Sequence, residues 1–359
     1  MLKSVSFTNF RNFEKKTVEF GEGVNVINAP NATGKTNILE GIYFASTGKS
    51  FKAKREEEVI RNEAEIANVL ADLRFMNEDV RLAAPLTRGA VNIGKETLEK
   101  IPKKKLLVNG IPRRLIDFAG NLKTTLFLPE DIDLVTGSPS KRRNYLDQVI
   151  SQVDRNYRRS VLIYERGVRQ RNKILLKIRE EGISRNHLLF WNQILIKNGN
   201  YITESRQKFI EFTNSIDHGL GTLDYRLEYD SSLISENRLE QYKVEEVAAG
   251  TTLVGPHRDD FAFSHESQVI SQSLASYGSR GEQRMGVLWL KMAEIKFIEE
   301  KTGVKPTLLL DDIFSELDHE HRKIVVDMIQ GYQSIITSAD EHNIAGIMNG
   351  ELRIKNINL

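Results

Sequence analysis

Three short segments, met in a fixed order, constrain this chain more than any other feature: Asn28-Ala-Pro-Asn-Ala-Thr-Gly-Lys-Thr36, Tyr277-Gly-Ser-Arg-Gly-Glu-Gln283 and Thr307-Leu-Leu-Leu-Asp-Asp-Ile-Phe-Ser-Glu-Leu-Asp318. The first follows an apolar run, Gly23-Val-Asn-Val-Ile27, and precedes Asn37-Ile-Leu-Glu-Gly-Ile-Tyr-Phe44, which has helical spacing. Strand, loop, helix is the context a phosphate-binding loop needs, because backbone N–H groups and a helix N-terminus then converge on phosphate oxygens. Residues Ala29, Pro30, Asn31, Ala32, Thr33, Gly34, Lys35 and Thr36 form the expected ATP cradle, with Lys35 reaching the terminal phosphates and Thr36 placing its hydroxyl on Mg²⁺. Ala29 stands where the strict pattern has its first Gly, and Ala32 where many such loops carry Gly. Each adds a Cβ where positive φ or close phosphate contact can be required, at a cost of about 1 kcal/mol if it is. Taken alone, the segment reads equally well as an ordinary strand-to-helix turn.

The third segment is a short apolar run closed by Asp311 and Asp312, a buried parallel-type strand delivering two carboxylates at its C-terminal end, where open α/β sheets bind ligands. Asp311 is the expected Mg²⁺ ligand. Asp312 takes the general-base position, and its short carboxylate predicts slow hydrolysis. On its own the pair could simply cap a strand. The second segment resembles the signature of ABC-type ATPases: Ser279 and Gly281 fall at a predicted helix start, a site that favours an anion such as the γ-phosphate held by an opposite copy. The bland alternative is a plain N-cap.

With Phe7-Thr-Asn-Phe-Arg-Asn12, Phe127-Leu-Pro-Glu-Asp-Ile132, Gly137-Ser-Pro-Ser-Lys-Arg-Arg-Asn-Tyr-Leu-Asp147, Gly255-Pro-His-Arg-Asp-Asp260 and Ser315-Glu-Leu-Asp318 added, the chain resembles, from end to end, the RecF family of bacterial recombination and repair ATPases. The resemblance implies an α/β fold, an ABC/SMC-type P-loop ATPase head with an inserted helical arm domain and no long coiled coil. It further implies ATP and Mg²⁺ as cofactors, double-stranded, gapped or junction DNA as a partner, and an ATP-dependent homodimer. RecA loading at gaps with RecO and RecR, in DNA repair, replication and the SOS response, follows from the same resemblance. It assigns Lys35 and Thr36 to phosphate and Mg²⁺, Asp311 and Asp312 to the acidic pair, Ser279 to the signature serine, Ser315–Asp318 to the loop between two active sites, and Arg11 to a position near the nucleotide. The strand Ser334-Ile-Ile-Thr337 lacks the switch histidine of general ABC enzymes, and Phe127-Leu-Pro-Glu lacks a clear lid glutamine.

The net charge is only +2, so a basic surface must come from uneven placement. Between Lys141 and Arg179 there are twelve Lys or Arg against three acids. Apolar residues Val153, Tyr157, Val161, Tyr164, Val168, Leu175 and Ile178 recur at helical spacing, so the cations project elsewhere. Arg142, Arg143, Arg155, Arg158, Arg159, Arg166 and Arg169 are the expected DNA-phosphate contacts, against the alternative of a merely solvated face. Gly182 would close this helix and Ser184 cap the next, whose stripe is Leu188, Trp191, Leu195, Ile202, Phe209 and Phe212. The helical hairpin is expected as an arm over 121–215, inserted in a head of 1–120 and 216–359. Hairpin strands are expected over Leu70–Leu82 and Lys103–Arg114, the latter about a type I′ turn at Asn109-Gly110.

The chain has no cysteine, which removes disulfides and thiolate metal sites. His257 and His319 lack a second ligand at metal spacing. No signal-peptide core is seen and no run approaches the roughly 18 apolar residues of a span, so a cytoplasmic location without membrane contact is expected. Two competing readings stay open: a DNA-binding scaffold whose nucleotide affinity is impaired by Ala29 and Ala32, and a transporter-type ABC subunit, which the basic arm disfavours.

Overall fold

The computed structural model describes residues 1–30, 32–75, 78–92, 98–216, 224–266, 271–315, 317–338 and 354–358. The chain divides into two compact units, Met1–Glu130 with Ile298–Leu359, and Asp131–Phe297. The first border lies near the expected 120. The second falls at 297/298 rather than near 216, because the segments that follow the hairpin as far as Phe297 pack with it.

The first unit opens with β1 (Leu2–Phe10), β2 (Phe13–Glu19), β3 (Val24–Asn28), α1 (Lys35–Thr47), β4 (Ile66–Phe75), β5 (Glu78–Thr87), β6 (Ala90–Asn92), β7 (Leu98–Lys100), β8 (Leu107–Val108), β9 (Ile111–Pro112), α2 (Leu115–Phe118) and β10 (Thr124–Phe127). The second contains α3 (Asp133–Thr136), α4 (Pro139–Val153), α5 (Arg155–Glu181), α6 (Leu189–Ser215), β11 (Asp224–Asp230), α7 (Glu236–Gln241), α8 (Lys243–Ala249), β12 (Asp260–Glu266), β13 (Ser271–Ser273), α9 (Leu274–Tyr277) and α10 (Arg280–Thr302), whose last turns run into the first unit. The first unit resumes with β14 (Thr307–Asp311), α11 (His319–Ile329), β15 (Ser334–Ser338) and β16 (Ile354–Asn358).

In the first unit a parallel sheet has the order β10-β14-β15-β3-β16. Its strands β10 and β15 are buried at every position and β14 at all but Asp311, as expected for strands covered on both faces. An antiparallel sheet, β2-β1-β4-β5-β8-β9, shares one core with it through Phe7, Phe10, Ile38, Ile42, Phe44, Leu309 and Ile335. Helix α1 passes so close to β1 that a Cβ on Gly41 would stand 2.1 Å from the Phe7 ring. The β8–β9 hairpin turns at Asn109 (φ 51°) and Gly110 (φ 79°), the positive pair a type I′ turn requires.

In the second unit the long basic stretch is two helices. Val153 closes α4, and Asp154 starts α5 by accepting from the N–H groups of Asn156 (2.7 Å) and Tyr157 (3.0 Å). Gly182, at φ 68°, ends α5. Ser184 caps a 3-10 turn ahead of α6. Strands β11, β12 and β13 form an antiparallel sheet. Among the described residues no helix is long and apolar enough to cross a membrane.

Candidate functional site: a phosphate cradle and a cationic helix

The β3–α1 loop has the backbone of an anion cradle. Gly34 takes φ 107° at the N-cap of α1, where a Cβ would strike the Asn12 side chain at 2.6 Å. Ala32 also sits at positive φ, 66°, and carries the strain of a Cβ there, whereas Ala29 is absent from the left-handed region. Of the two departures from Gly, only Ala32 therefore bears on the backbone. Asn31 lies outside the described residues. Lys35 is 8% exposed and folds back, its ammonium donating to the carbonyls of Ala29 and Pro30 (3.1 Å to Pro30). Thr33 donates its hydroxyl to the Pro30 carbonyl at 2.8 Å and stiffens the loop.

The acidic strand end arrives from β14, one strand beyond β15 from β3 in the sheet. Thr36 Oγ1 donates to Asp311 Oδ2 at 2.8 Å, bringing a hydroxyl and a carboxylate from positions 275 residues apart into one spot. That pair is a hard-oxygen donor set of the kind Mg²⁺ accepts. Thr337, at the end of β15, fixes both acids: its hydroxyl donates to Asp311 Oδ1 (2.7 Å) and accepts from the Asp312 N–H (3.0 Å). Asp312 takes φ 46°, and its carbonyl accepts from the Ser315 N–H (3.3 Å) and hydroxyl (2.7 Å). Glu316 lies outside the described residues. Asp318 caps α11 by accepting from the His321 N–H, a bond that lowers its pKa.

Arg11, expected beside the nucleotide, is committed elsewhere. Its Nε and Nη2 grip the fully buried Glu40 of α1 at 2.8 and 2.6 Å, and Nη1 donates to the Glu58 carbonyl at 2.9 Å. A buried carboxylate needs a cation, and Arg11 supplies it. The neighbouring Asn12 is the residue that reaches the cradle, donating to the Thr33 carbonyl (2.9 Å) and accepting from Asn37 of α1 (2.8 Å). Asn12 and Thr337 were passed over in the sequence because an amide and a hydroxyl carry no spacing signal of their own.

Ser279 and Glu282 form a reciprocal cap at the start of α10. The Ser279 N–H donates to the Glu282 carboxylate at 2.6 Å, and the Glu282 N–H donates to Ser279 Oγ at 3.3 Å. The Ser279 N–H holds the Glu282 pKa below the usual carboxylate range. Gly281 lies in the first turn of the same helix.

On α5 six exposed cations fall in one line, and the exposed Arg179 near the helix end lies off it. Arg155, Arg159, Arg166, Arg169, Lys173 and Lys177 follow at steps of 4, 7, 3, 4 and 4 residues and are all exposed. At about 100° per residue these steps stay within about 40° of one direction, over about 33 Å. The opposite face holds the buried Tyr157, Tyr164, Arg171 and Leu175. Three of the expected basic residues, Arg142, Arg143 and Arg158, bond within the protein, as does Arg171, which was not in that set. Arg142, 9% exposed, is turned inward onto Asp260 with bonds of 2.6 and 2.8 Å, because its side of α4 packs on β12. It is a fastener and not a DNA contact. Arg143 donates to the Asp259 carbonyl (2.8 Å), and burial lowers its pKa. Arg158 donates to the Ser151 carbonyl. Arg171 pairs with the buried Glu246 at 2.6 Å, and its place seven residues after Tyr164 and four before Leu175 is the signal that put it on the inner face.

Comparison with known proteins bears on the family and the fold. The family model of the RecF/RecN/SMC N terminal domain matches residues 1–355. The chain is 32% identical over 347 residues to the DNA replication and repair protein RecF of Lachnoclostridium phytofermentans, covering 94% of this chain and 92% of that one. It resembles the solved structure of the recombination mediator protein RecF-ATP in the RecFOR pathway with TM-score 0.83 and 31% identity, covering 96% of this chain and 93% of the other. An Smc head domain with a coiled coil from Pyrococcus yayanosii, at TM-score 0.54 and 14% identity over 100% and 95% of the two chains, shares the fold.

Proposed function

The chain belongs to the RecF branch of the RecF/RecN/SMC N-terminal domain family, and from that premise we propose that it is an ATP-dependent DNA-binding protein of recombinational repair and replication. The observation that carries the reading is the cradle itself. Lys35 rests on two neutral carbonyls at a positive-φ loop, beside the Thr36–Asp311 pair. An anionic phosphate oxygen outcompetes a neutral carbonyl for an ammonium, so the same lysine can turn to a nucleotide without losing a hydrogen bond. Its relative of 31% identity is described with ATP, which supports the same ligand here.

In this reading Thr36 and Asp311 hold Mg²⁺, which when bound neutralises charge on the terminal phosphates. Asp312, its backbone fixed by Thr337 and Ser315, orients the attacking water and accepts its proton. The Ser279 helix start meets the nucleotide of a second copy, so ATP closes a homodimer and slow hydrolysis releases it. The stripe on α5 positions duplex DNA by its phosphates and reads no bases. Its length of about 33 Å is close to one turn of B-DNA. Work with RecO and RecR in loading RecA at gaps is the cellular role the family membership suggests. A scaffold with weakened nucleotide affinity is the second reading, favoured by the strained Ala32 alone.

Sedimentation with ATP, ADP or neither tests the proposal. ATP alone is expected to convert monomer to dimer, and Lys35→Arg to abolish the conversion while leaving the fold intact. An unchanged sedimentation coefficient in ATP sinks the reading, and direct ATP titration then decides for or against the scaffold. For the arm, six neutralised phosphates predict a log–log salt slope near about −5, and removing Arg159, Arg166 and Arg169 should reduce it by about 3.

A further inference from the structure

The cationic stripe and Ser279 both belong to the second unit, and one antiparallel ladder connects them. At one end of the ladder the arm helices are fastened to it by charge. Arg206 of α6, 3% exposed, donates to Asp147 of α4 (2.9 Å), to the Tyr157 hydroxyl of α5 (3.1 Å) and to Asp259 (2.9 Å), the residue before β12. Arg142 of α4 grips Asp260, the first residue of β12, and Tyr229 of β11 donates its hydroxyl to Asp259. From this hub β11 and β12 run as seven consecutive pairs, Asp230↔Asp260 to Asp224↔Glu266, with no break in register.

At the far end the ladder touches the start of α10. Tyr225 of β11 donates its hydroxyl to the Glu282 carbonyl at 3.2 Å. Its ring centroid stands 6.0 Å from that of Trp289 of α10, which seats the ring against that helix. Glu282 is the residue whose carboxylate caps the Ser279 N–H. Each joint is thus a specific polar contact, and the rod between them is a paired sheet that bends little compared with a loop.

We propose that the β11–β12 ladder is a strut that sets the pose of Ser279 from the DNA-binding arm, with the Tyr225 hydroxyl as its terminal joint. Tyr225 is then a positioning residue that makes DNA binding and ATP-driven pairing reinforce each other. The inference rests on the reading of α5 as the DNA face and of Ser279 as the pairing contact. Linkage makes the effect reciprocal: the factor by which duplex DNA tightens pairing equals the factor by which pairing tightens DNA.

The test compares the full chain with Tyr225→Phe and Tyr229→Phe, one variant for each end of the strut. Dimerisation constants in ATP are measured by sedimentation with and without a duplex oligonucleotide, alongside ATP affinity of the monomer, duplex affinity without nucleotide, and melting temperature. Duplex DNA is expected to tighten wild-type pairing about tenfold. Each variant should cut that ratio about fivefold while leaving the two separate affinities within about twofold; the melting temperature stays near wild type in Tyr225→Phe and falls by a few degrees in Tyr229→Phe, which takes one donor from the buried Asp259. A wild-type ratio preserved in Tyr225→Phe, a wild-type ratio of one, or a variant whose separate affinities and melting temperature all fall together overturns the strut. Failure of the wild type to bind ATP or duplex DNA refutes the functional reading itself, and is seen before any variant is made.

Discussion

Lys35 in the cradle and Arg206 in the arm are both cations withdrawn from solvent, yet their partners are of opposite kinds. Lys35 is held by the neutral carbonyls of Ala29 and Pro30. Arg206 is held by two carboxylates, Asp147 and Asp259, with a phenol and the Pro256 carbonyl completing its shell. Those partners, with burial opposing them, push the Arg206 pKa upward, so its charge is permanent. The difference teaches how a fold separates cations that act from cations that fasten. A carboxylate beside Lys35 would compete with phosphate, whereas neutral carbonyls yield to it. A charge that only joins helices gains from carboxylates, which fix geometry and leave nothing to exchange.

The harshest way to break this comparison is to delete both cations. Arg206→Met strands the fully buried Asp259 and takes the cation from the partly buried Asp147, and is expected to cost about 3–5 kcal/mol. Urea unfolding followed by the fluorescence of Trp191 and Trp289, both in the second unit, measures it. Lys35→Met gives up hydrogen bonds to two carbonyls and should cost only about 1 kcal/mol by circular dichroism. Equal costs would erase the distinction.

Acid probes the second unit through His257. Its Nε2 faces the Thr252 carbonyl (3.0 Å), which assigns the proton to that nitrogen, and its Nδ1 lies 2.8 Å from the Tyr164 hydroxyl, which donates to it. Burial is the main cause of a pKa lowered from 6.5 to about 4, with Arg258 and Arg143 lowering it further against Asp259 and the Thr252 bond. The unfolded chain therefore takes a proton from about pH 6.5 downward and the folded chain only near pH 4. The contribution is intact above pH 6.5 and falls by about 3 kcal/mol as pH drops through that window. His257→Gln, which keeps a donor for the Thr252 carbonyl, should flatten this part of the acid limb relative to wild type. An unaltered limb counts against the assignment.

The finest adjustment lies in the cradle backbone. Ala32→Gly should recover about 1 kcal/mol of strain and tighten ATP accordingly, read by calorimetric titration. Ala29→Gly, without positive φ to relieve, should gain nothing. Similar gains at both positions would mean that close phosphate approach, and not backbone angle, is the limiting feature.

Much of this molecule was legible before folding. The loop and helix start at Gly34, Lys35 and Thr36, the apolar strand that ends in Asp311, the turn at Asn109-Gly110 and the start of α10 at Ser279 are local: each depends on a few neighbouring residues whose φ/ψ preferences, capping groups and alternation are written in sequence, whereas the meeting of Thr36 with Asp311 across 275 residues is not. The cation stripe of α5 was half legible, because helical periodicity separates it from Tyr157, Tyr164 and Leu175. The same periodicity, applied to Arg171, would have placed that arginine inside.

What the sequence determined, then, is the chemistry at each position and its local backbone: an ammonium and a hydroxyl at a tight loop, two carboxylates at a strand end, a helix lined with guanidinium groups. What only the tertiary structure decided is which of those charges are spent on one another. Arg142 meets Asp260 across 118 residues, Arg11 meets Glu40 across 29, and Thr337 meets Asp311 across 26. Local preference is blind to such pairs, since the free energy that selects them comes from burying a charge with its partner and exists only once the chain has brought the two together.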